Sequence, residues 1–328
     1  MTPVRRWAAL LVIAVACSGA PDLTDTTAPP TTDTTGSAGG GWVRLQKMAF
    51  PRSELGAAAL DGRIYTFGGH MREVTGNVRG QSTVEVFDTA TGARSQVADM
   101  PRDRHHVMAA AHSGKIYVFG GYRHSPRRET NTVWRYDPVA DSWEILGDMP
   151  GPVAAGSAVA LGDYIYVIGG VPEGTTVYRF APATGAWTVV APLPYPSEHL
   201  AAAVLDGTIY AISGRWDRVA TPQVSVYDPA TDAWSPATPV HDGRAGFGAA
   251  VWRGQIVIVG GELLETGDAV ITVEAYDPLT GEWSFLEPLP ETLHGMGVVS
   301  VEGAVYVVGG SRRPATANNH GDVFVLAP

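Results

Sequence analysis

The heptapeptide RIYTFGG at 63–69 returns as KIYVFGG (115–121), YIYVIGG (164–170), TIYAISG (208–214), QIVIVGG (255–261) and AVYVVGG (304–310). Each copy is an apolar run ending in a glycine pair, or in Ser-Gly once. The second glycines, 69, 121, 170, 214, 261 and 310, stand 44 to 52 residues apart. That period belongs to supersecondary units that stack because none can bury its own hydrophobic face. One array is therefore expected rather than two domains.

Within a unit, PRDRHHVMAAAHSGKIYVFGG (101–121) reads as two apolar runs joined by a Ser-Gly turn, a β-hairpin. NTVWRYDP (131–138) alternates as a third strand and DSWEIL (141–146) as a fourth. Four antiparallel strands per unit make a propeller blade. The turn between third and fourth strands recurs as FDTATGAR, YDPVADSW, FAPATGAW, YDPATDAW and YDPLTGEW, where Asp, Pro, Thr and Gly supply turn geometry.

The double glycine, the Tyr-Asp-Pro turn and a Trp seven residues after the aromatic together resemble the kelch repeat, over essentially all of 42–328. The resemblance implies an all-β, six-bladed propeller. It also implies that the glycines let a neighbouring blade's Trp and backbone approach closely. The last unit stops after its third strand, DVFVLAP (322–328), and the N-terminal GWVRLQKM (41–48) reads as an orphan fourth strand, so the sixth blade is expected to close with it. Arg94 in place of the fourth-strand Trp, Ala181 in place of the turn Asp, and Ser213 in place of the first glycine depart from the pattern.

The first residues, MTPVRRWAALLVIAVAC, place Arg5 and Arg6 before a short apolar run, which reads as a signal peptide over 1–16. AVAC resembles a bacterial lipobox, which implies lipidation of Cys17. Residues 18–41 hold almost no large apolar side chain and read as a tether, with the propeller over 42–328. Export and lipid anchoring on the extracytoplasmic side are thus expected. Cys17 is the only cysteine, so the remainder has no thiol for a disulfide, a thiolate metal site or a nucleophile. A net charge of −10 argues against a nucleic-acid partner.

The loop into each first strand and the loop after each glycine pair emerge on one face. Three consecutive residues per blade lead into the first strand: Arg52 to Glu54, Arg104 to His106, Val153 to Ala155, Ser197 to His199, Arg244 to Gly246 and Leu293 to Gly295. We call these the rim triplets. Eight of nine histidines lie in or beside these loops. By resemblance, Arg52, Arg104 and Arg244 point toward the central pocket. The expected ligand- or partner-binding residues are Arg52, Glu54, Arg104, His106, Tyr122, Glu198, His199, Arg215, Trp216, Arg244, Glu262, His294 and Arg312, with Tyr122 and Trp216 as stacking faces.

Three readings follow. The first is a monomeric binding module, without cofactor, for an extracellular or envelope protein or a glycan. The second is a carbohydrate-active enzyme resembling kelch-type sialic-acid mutarotases, with Glu54, Glu198, Glu262, His199 and Arg215 for acid–base work. The third is a structural surface protein. A copper radical oxidase, another kelch class, is excluded because its cysteine-tyrosine cofactor needs a thiol. A metal site is not expected, because blades lie far apart around a ring and no paired-ligand motif such as HExxH occurs.

Overall fold

The computed structural model describes residues 41–72, 78–124, 126–313 and 319–328. The expected signal peptide, Cys17 and tether lie outside them. Among the described residues there is no helix, and six four-stranded antiparallel sheets follow one another along the chain. In the second blade the strands run Met108–His112, Lys115–Phe119, Thr132–Asp137 and Ser142–Asp148, from the inside outward. Trp42–Leu45 pairs antiparallel with Val323–Leu326, so the sixth sheet is closed by the N-terminal strand.

No blade owns a core. Six buried clusters each draw on two neighbouring blades; one joins Tyr65, Phe67 and Val86 of the first blade to Ile116, Val118 and Trp134 of the second. Blade stability is therefore mostly interface stability. The recurrent Trp serves this interface. Trp143, Trp234 and Trp283 stand opposite Tyr136, Tyr227 and Tyr276 in register, and each indole donates to a carbonyl of the preceding blade: Ala98, Ala191 and Thr238. Trp42 does the same to Glu287. Arg94, the departure in the first blade, donates to Lys47 O at 2.7 Å and so keeps the bond that its missing indole would have made.

The glycine pairs hold the blades together at the other end. The second glycine of each blade donates its N–H to the first rim residue of the next: Gly69 to Arg104, Gly121 to Val153, Gly170 to Ser197, Gly214 to Arg244, Gly261 to Leu293 and Gly310 to Arg52, all at 2.8–2.9 Å. The first glycine faces the same carbonyl. A Cβ on Gly120, at φ +55°, would stand 2.1 Å from Val153 O. The approaching group is thus a backbone carbonyl, and no tryptophan is among the nearest neighbours of these glycines. Ser213 tolerates the position at φ 50° because its hydroxyl donates to Arg244 O and Thr221 O.

Rim residues 52, 104 and 244 depart from the expectation that their side chains reach the pocket. Arg52 and Arg244 have no exposed surface. Arg52 donates to Gly68 O, Thr83 O and Thr66 Oγ1 and pairs with Glu85 at 3.2 Å. Arg244 bonds Thr272 Oγ1 at 2.7 Å and pairs with buried Glu274. Arg104 lies with its guanidinium 5.0 Å from the ring centre of Trp134, which occupies the strand position of Glu85 and Glu274. Burial lowers all three, Arg52 to about 10. They tie third strands to the rim.

Two outcomes follow from this architecture. Removing one partner of a buried ion pair strands the other charge, so Arg52→Ala should cost about 3–5 kcal/mol, with most of it recovered in Arg52→Met/Glu85→Leu. Thermal unfolding of both variants checks this, and a single variant that melts like the parent would refute the structural role. A chain beginning at residue 49 should unfold at clearly lower temperature than one beginning at Trp42, because only the former loses the closing strand. Equal melting curves would remove that strand from the fold.

Candidate functional site

Each rim triplet divides its labour. The first residue supplies the carbonyl to the preceding blade's glycine. The second forms a two-residue bridge with the residue after its own glycine pair, as Glu198 does with Arg215 through N–H···O bonds of 2.8 and 2.9 Å. The third residues meet one another around the axis. His106 N donates to Glu54 O, Ala155 N to His106 O, His199 N to Ala155 O, Gly246 N to His199 O, Gly295 N to Gly246 O, and Glu54 N to Gly295 O. Six peptide groups thus form a closed ring. All six residues have φ between 52° and 61°, a conformation that favours glycine.

Just past the ring begins a central channel of about 480 Å³, walled by the innermost strands and lined by small residues such as Ala58, Ala110 and Ser157. Side chains from the ring and its neighbours converge on one another across the blades. Glu54 Oε2 stands 3.3 Å from His106 Nε2 and 3.8 Å from His199 Nε2, while its Oε1 stands 3.6 Å from His294 Nε2. Blades distant in sequence therefore do meet at the axis, which corrects the argument that their separation keeps histidines apart.

The cluster continues outward. His199 Nδ1 contacts Glu198 Oε2 at 3.0 Å, Glu198 Oε1 accepts from Arg215 Nε at 2.7 Å, and Arg215 Nη1 bonds Glu262. Burial pushes the Glu198 carboxyl up, but hydrogen bonds from His199 and Arg215, with the Arg215 charge, outweigh it and hold the group at about 2. On the other flank, His105 and His106 approach Nδ1 to Nδ1 at 2.6 Å, and His70 lies on His105 with ring centres 3.9 Å apart. Burial, then neighbouring cationic groups, pushes His105 down to about 2 and His106 well below the ordinary histidine value. Both are neutral imidazoles at physiological pH.

Of the thirteen residues expected at the site, Glu54, His106, Glu198, His199, Arg215, Glu262 and His294 are linked in this one network. Tyr122 borders it, but its ring is covered by stacked His105 on one contact and by Arg127 on another, at 5.2 and 4.4 Å. Trp216 is half-buried and lies over Gly174, outside the linked network. Arg312 belongs to a separate cluster with Glu291 and Asp322, shared with Arg44 of the closing strand. His70 and His105 join the network without having been chosen. The concentration of histidines in these loops was the signal that marked them.

Among the described residues, two neighbouring clusters have metal-ligand composition and spacing: Glu54 with His106 and His199, and His70 with His105 and His106. A third, Glu291 with His320 and Asp322, is already neutralised by Arg44, Lys47 and Arg312.

Known families match this chain in the same repeats. The KLHDC2/KLHL20/DRC7 Kelch-repeats domain matches residues 42–170, and the Kelch motif matches 198–241 and 243–290. Kelch-like protein terF of Aspergillus terreus is 31% identical over 39% of this chain and 29% of its own length. Beta-scruin of Limulus polyphemus is 32% identical over 40% of this chain and 14% of its own length. The chain thus spans less than a third of the curated relatives it matches. A solved structure of YjhT superposes with a TM-score of 0.73 at 18% identity, covering 85% of this chain and 95% of that one. With six blades, six glycine pairs and these matches in the same stretches, the chain is a six-bladed β-propeller of kelch repeats.

Proposed function

We propose that this propeller is an exported, lipid-anchored binding module that captures an extracellular or envelope protein, or a glycan, on its rim face. The observation that carries the reading is the asymmetry of the two faces. On the opposite face, first and second strands are joined by two-residue turns such as Asp61-Gly62 and Gly162-Asp163. On the rim face, the chain after the glycine pairs extends into hairpins of its own: Tyr122–Arg123 with Arg128–Glu129, Arg215–Trp216 with Val219–Ala220, and Glu262–Leu263 with Asp268–Ala269. Long loops on a rigid scaffold are where recognition is usually built. Their tips are exposed, with Val219 69% accessible.

Sugar chemistry is less well supported. An anionic sugar needs Arg groups turned toward it, yet Arg52 and Arg244 are buried in blade packing and Arg215 is held between Glu198 and Glu262.

Two experiments test the proposal. Capture from an extracellular fraction or a glycan array should fall at least tenfold in Arg127→Glu/Arg218→Glu/Val219→Asp, and be unchanged in Asp163→Lys on the opposite face. The reverse pattern would move the site to that other face. For the anchor, Cys17→Ala should shift the protein from the membrane to the soluble fraction, and an unchanged distribution would defeat lipid tethering.

A further inference from the structure

We propose that the axis of this propeller holds a divalent transition-metal ion on Glu54 Oε2, His106 Nε2 and His199 Nε2. The inference is independent of the binding reading, because it rests on the peptide ring and not on the rim hairpins. Three lines converge on it.

The first is distance. Ligand atoms at 2.0–2.1 Å from a tetrahedral ion lie about 3.3 Å from one another. Glu54 Oε2 stands at 3.3 Å from His106 Nε2 and 3.8 Å from His199 Nε2, and the three residues each offer a ligand atom within 4.8 Å of the others. Two imidazoles and one carboxylate suit zinc and its neighbours in the first transition row rather than calcium or magnesium. Three protein ligands leave a fourth position open, as sites that bind an exchangeable molecule do.

The second is tautomer. His199 Nδ1 stands closer to Glu198 Oε2, at 3.0 Å, than to Arg215 Nη2, at 3.4 Å, so Nδ1 carries the proton and Nε2 turns a lone pair to the axis. His294 Nδ1 donates to Ser311 O at 3.0 Å, which likewise leaves Nε2 as an acceptor facing Glu54. These Nε2 atoms turned toward one carboxylate are drawn together by a shared cation, whether a metal ion or a proton, and the metal is the one that the distances fit. A carboxylate behind the histidine, itself fixed by Arg215, is the usual support of a metal-bound imidazole.

The third is room made for the carboxylate. A Cβ on Gly295 would stand 2.7 Å from Glu54 Oε1, so glycine in the sixth blade opens the space that the first blade's acid fills. Glu54, His106 and His199 each keep a side chain at a φ above 50° where Gly246 and Gly295 occupy the same ring.

Isothermal titration of chelator-treated full-length protein with Zn2+ should give one equivalent bound. Glu54→Gln and His199→Ala should each weaken binding by roughly 100-fold or more, and Glu198→Gln by roughly 10–100-fold through loss of orientation. His112→Ala, at the opposite-face end of a first strand, should bind as the parent does. In the Co2+ form, the visible d–d bands should change in Glu54→Gln, whose shape-conserving side chain keeps the fold, as thermal unfolding of the metal-free protein will verify. Absence of stoichiometric Zn2+ binding by the parent overturns the proposal. So does binding that survives in Glu54→Gln and His199→Ala, which assigns the ion to exposed histidines, and the axial cluster is then held by protons alone.

Discussion

The interaction on which the molecule depends is a peptide hydrogen bond between neighbouring blades, repeated around the axis. Four-stranded sheets with no core of their own gain nothing by folding singly, and their apolar faces are satisfied only between blades. Packing of flat apolar faces is not directional. Direction comes from the rim. One circle of bonds runs from the second glycine of each blade to the next blade's first rim residue, and an inner circle joins the third rim residues to one another. Each bond is worth only about 0.5–1.5 kcal/mol net, but the circles fix six sheets in one register.

The sequence made the repeat legible because glycine pairs, turn aspartates and the Tyr–Trp spacing all serve backbone geometry that each blade must satisfy. Blade number, strand order and closure by Trp42–Leu45 are read from them. The rim was harder. Arg52 and Glu54 are two residues apart and chemically both suit a pocket, yet one is sealed beside Glu85 and the other reaches the axis. What separates them is the partner on the third strand. Glu85 and Glu274 match Arg52 and Arg244, whereas Trp134 stands at that position against Arg104, and Phe324 joins the cluster of Leu293. Each first rim residue is chosen by the strand beneath it, a pairing that spacing along the chain does not display.

Departures from the repeat were legible as positions but not as effects. Arg94 lacks an indole, and its guanidinium still reaches Lys47 O. Ser213 brings a Cβ to a place meant for glycine and converts the collision with Arg244 O into a hydrogen bond. In both cases the conserved quantity is the bond between blades, and the side chain that makes it is free to vary. This is why one chain can carry Trp, Arg and Ser in equivalent roles without opening the ring.

The same reasoning runs the other way at the third rim position. There the backbone bond is made by every residue type, since an N–H and a carbonyl suffice, and the left-handed φ costs a non-glycine residue about 1–2 kcal/mol. Gly246 and Gly295 accept that conformation at no cost; Glu54, His106 and His199 do not. Ala155 keeps the same conformation for the ring's hydrogen bonds alone. The side chains of Glu54, His106 and His199 instead meet across three blades at separations of 3.3 and 3.8 Å, held by a circle of peptides that the outer hairpins do not touch. A site built this way is rigid because the fold is closed. Arg215 and Tyr122, at the bases of two rim hairpins, contact the cluster through Glu198, His199 and His106, so it is the hairpin tips, not their bases, that can change without disturbing the axis.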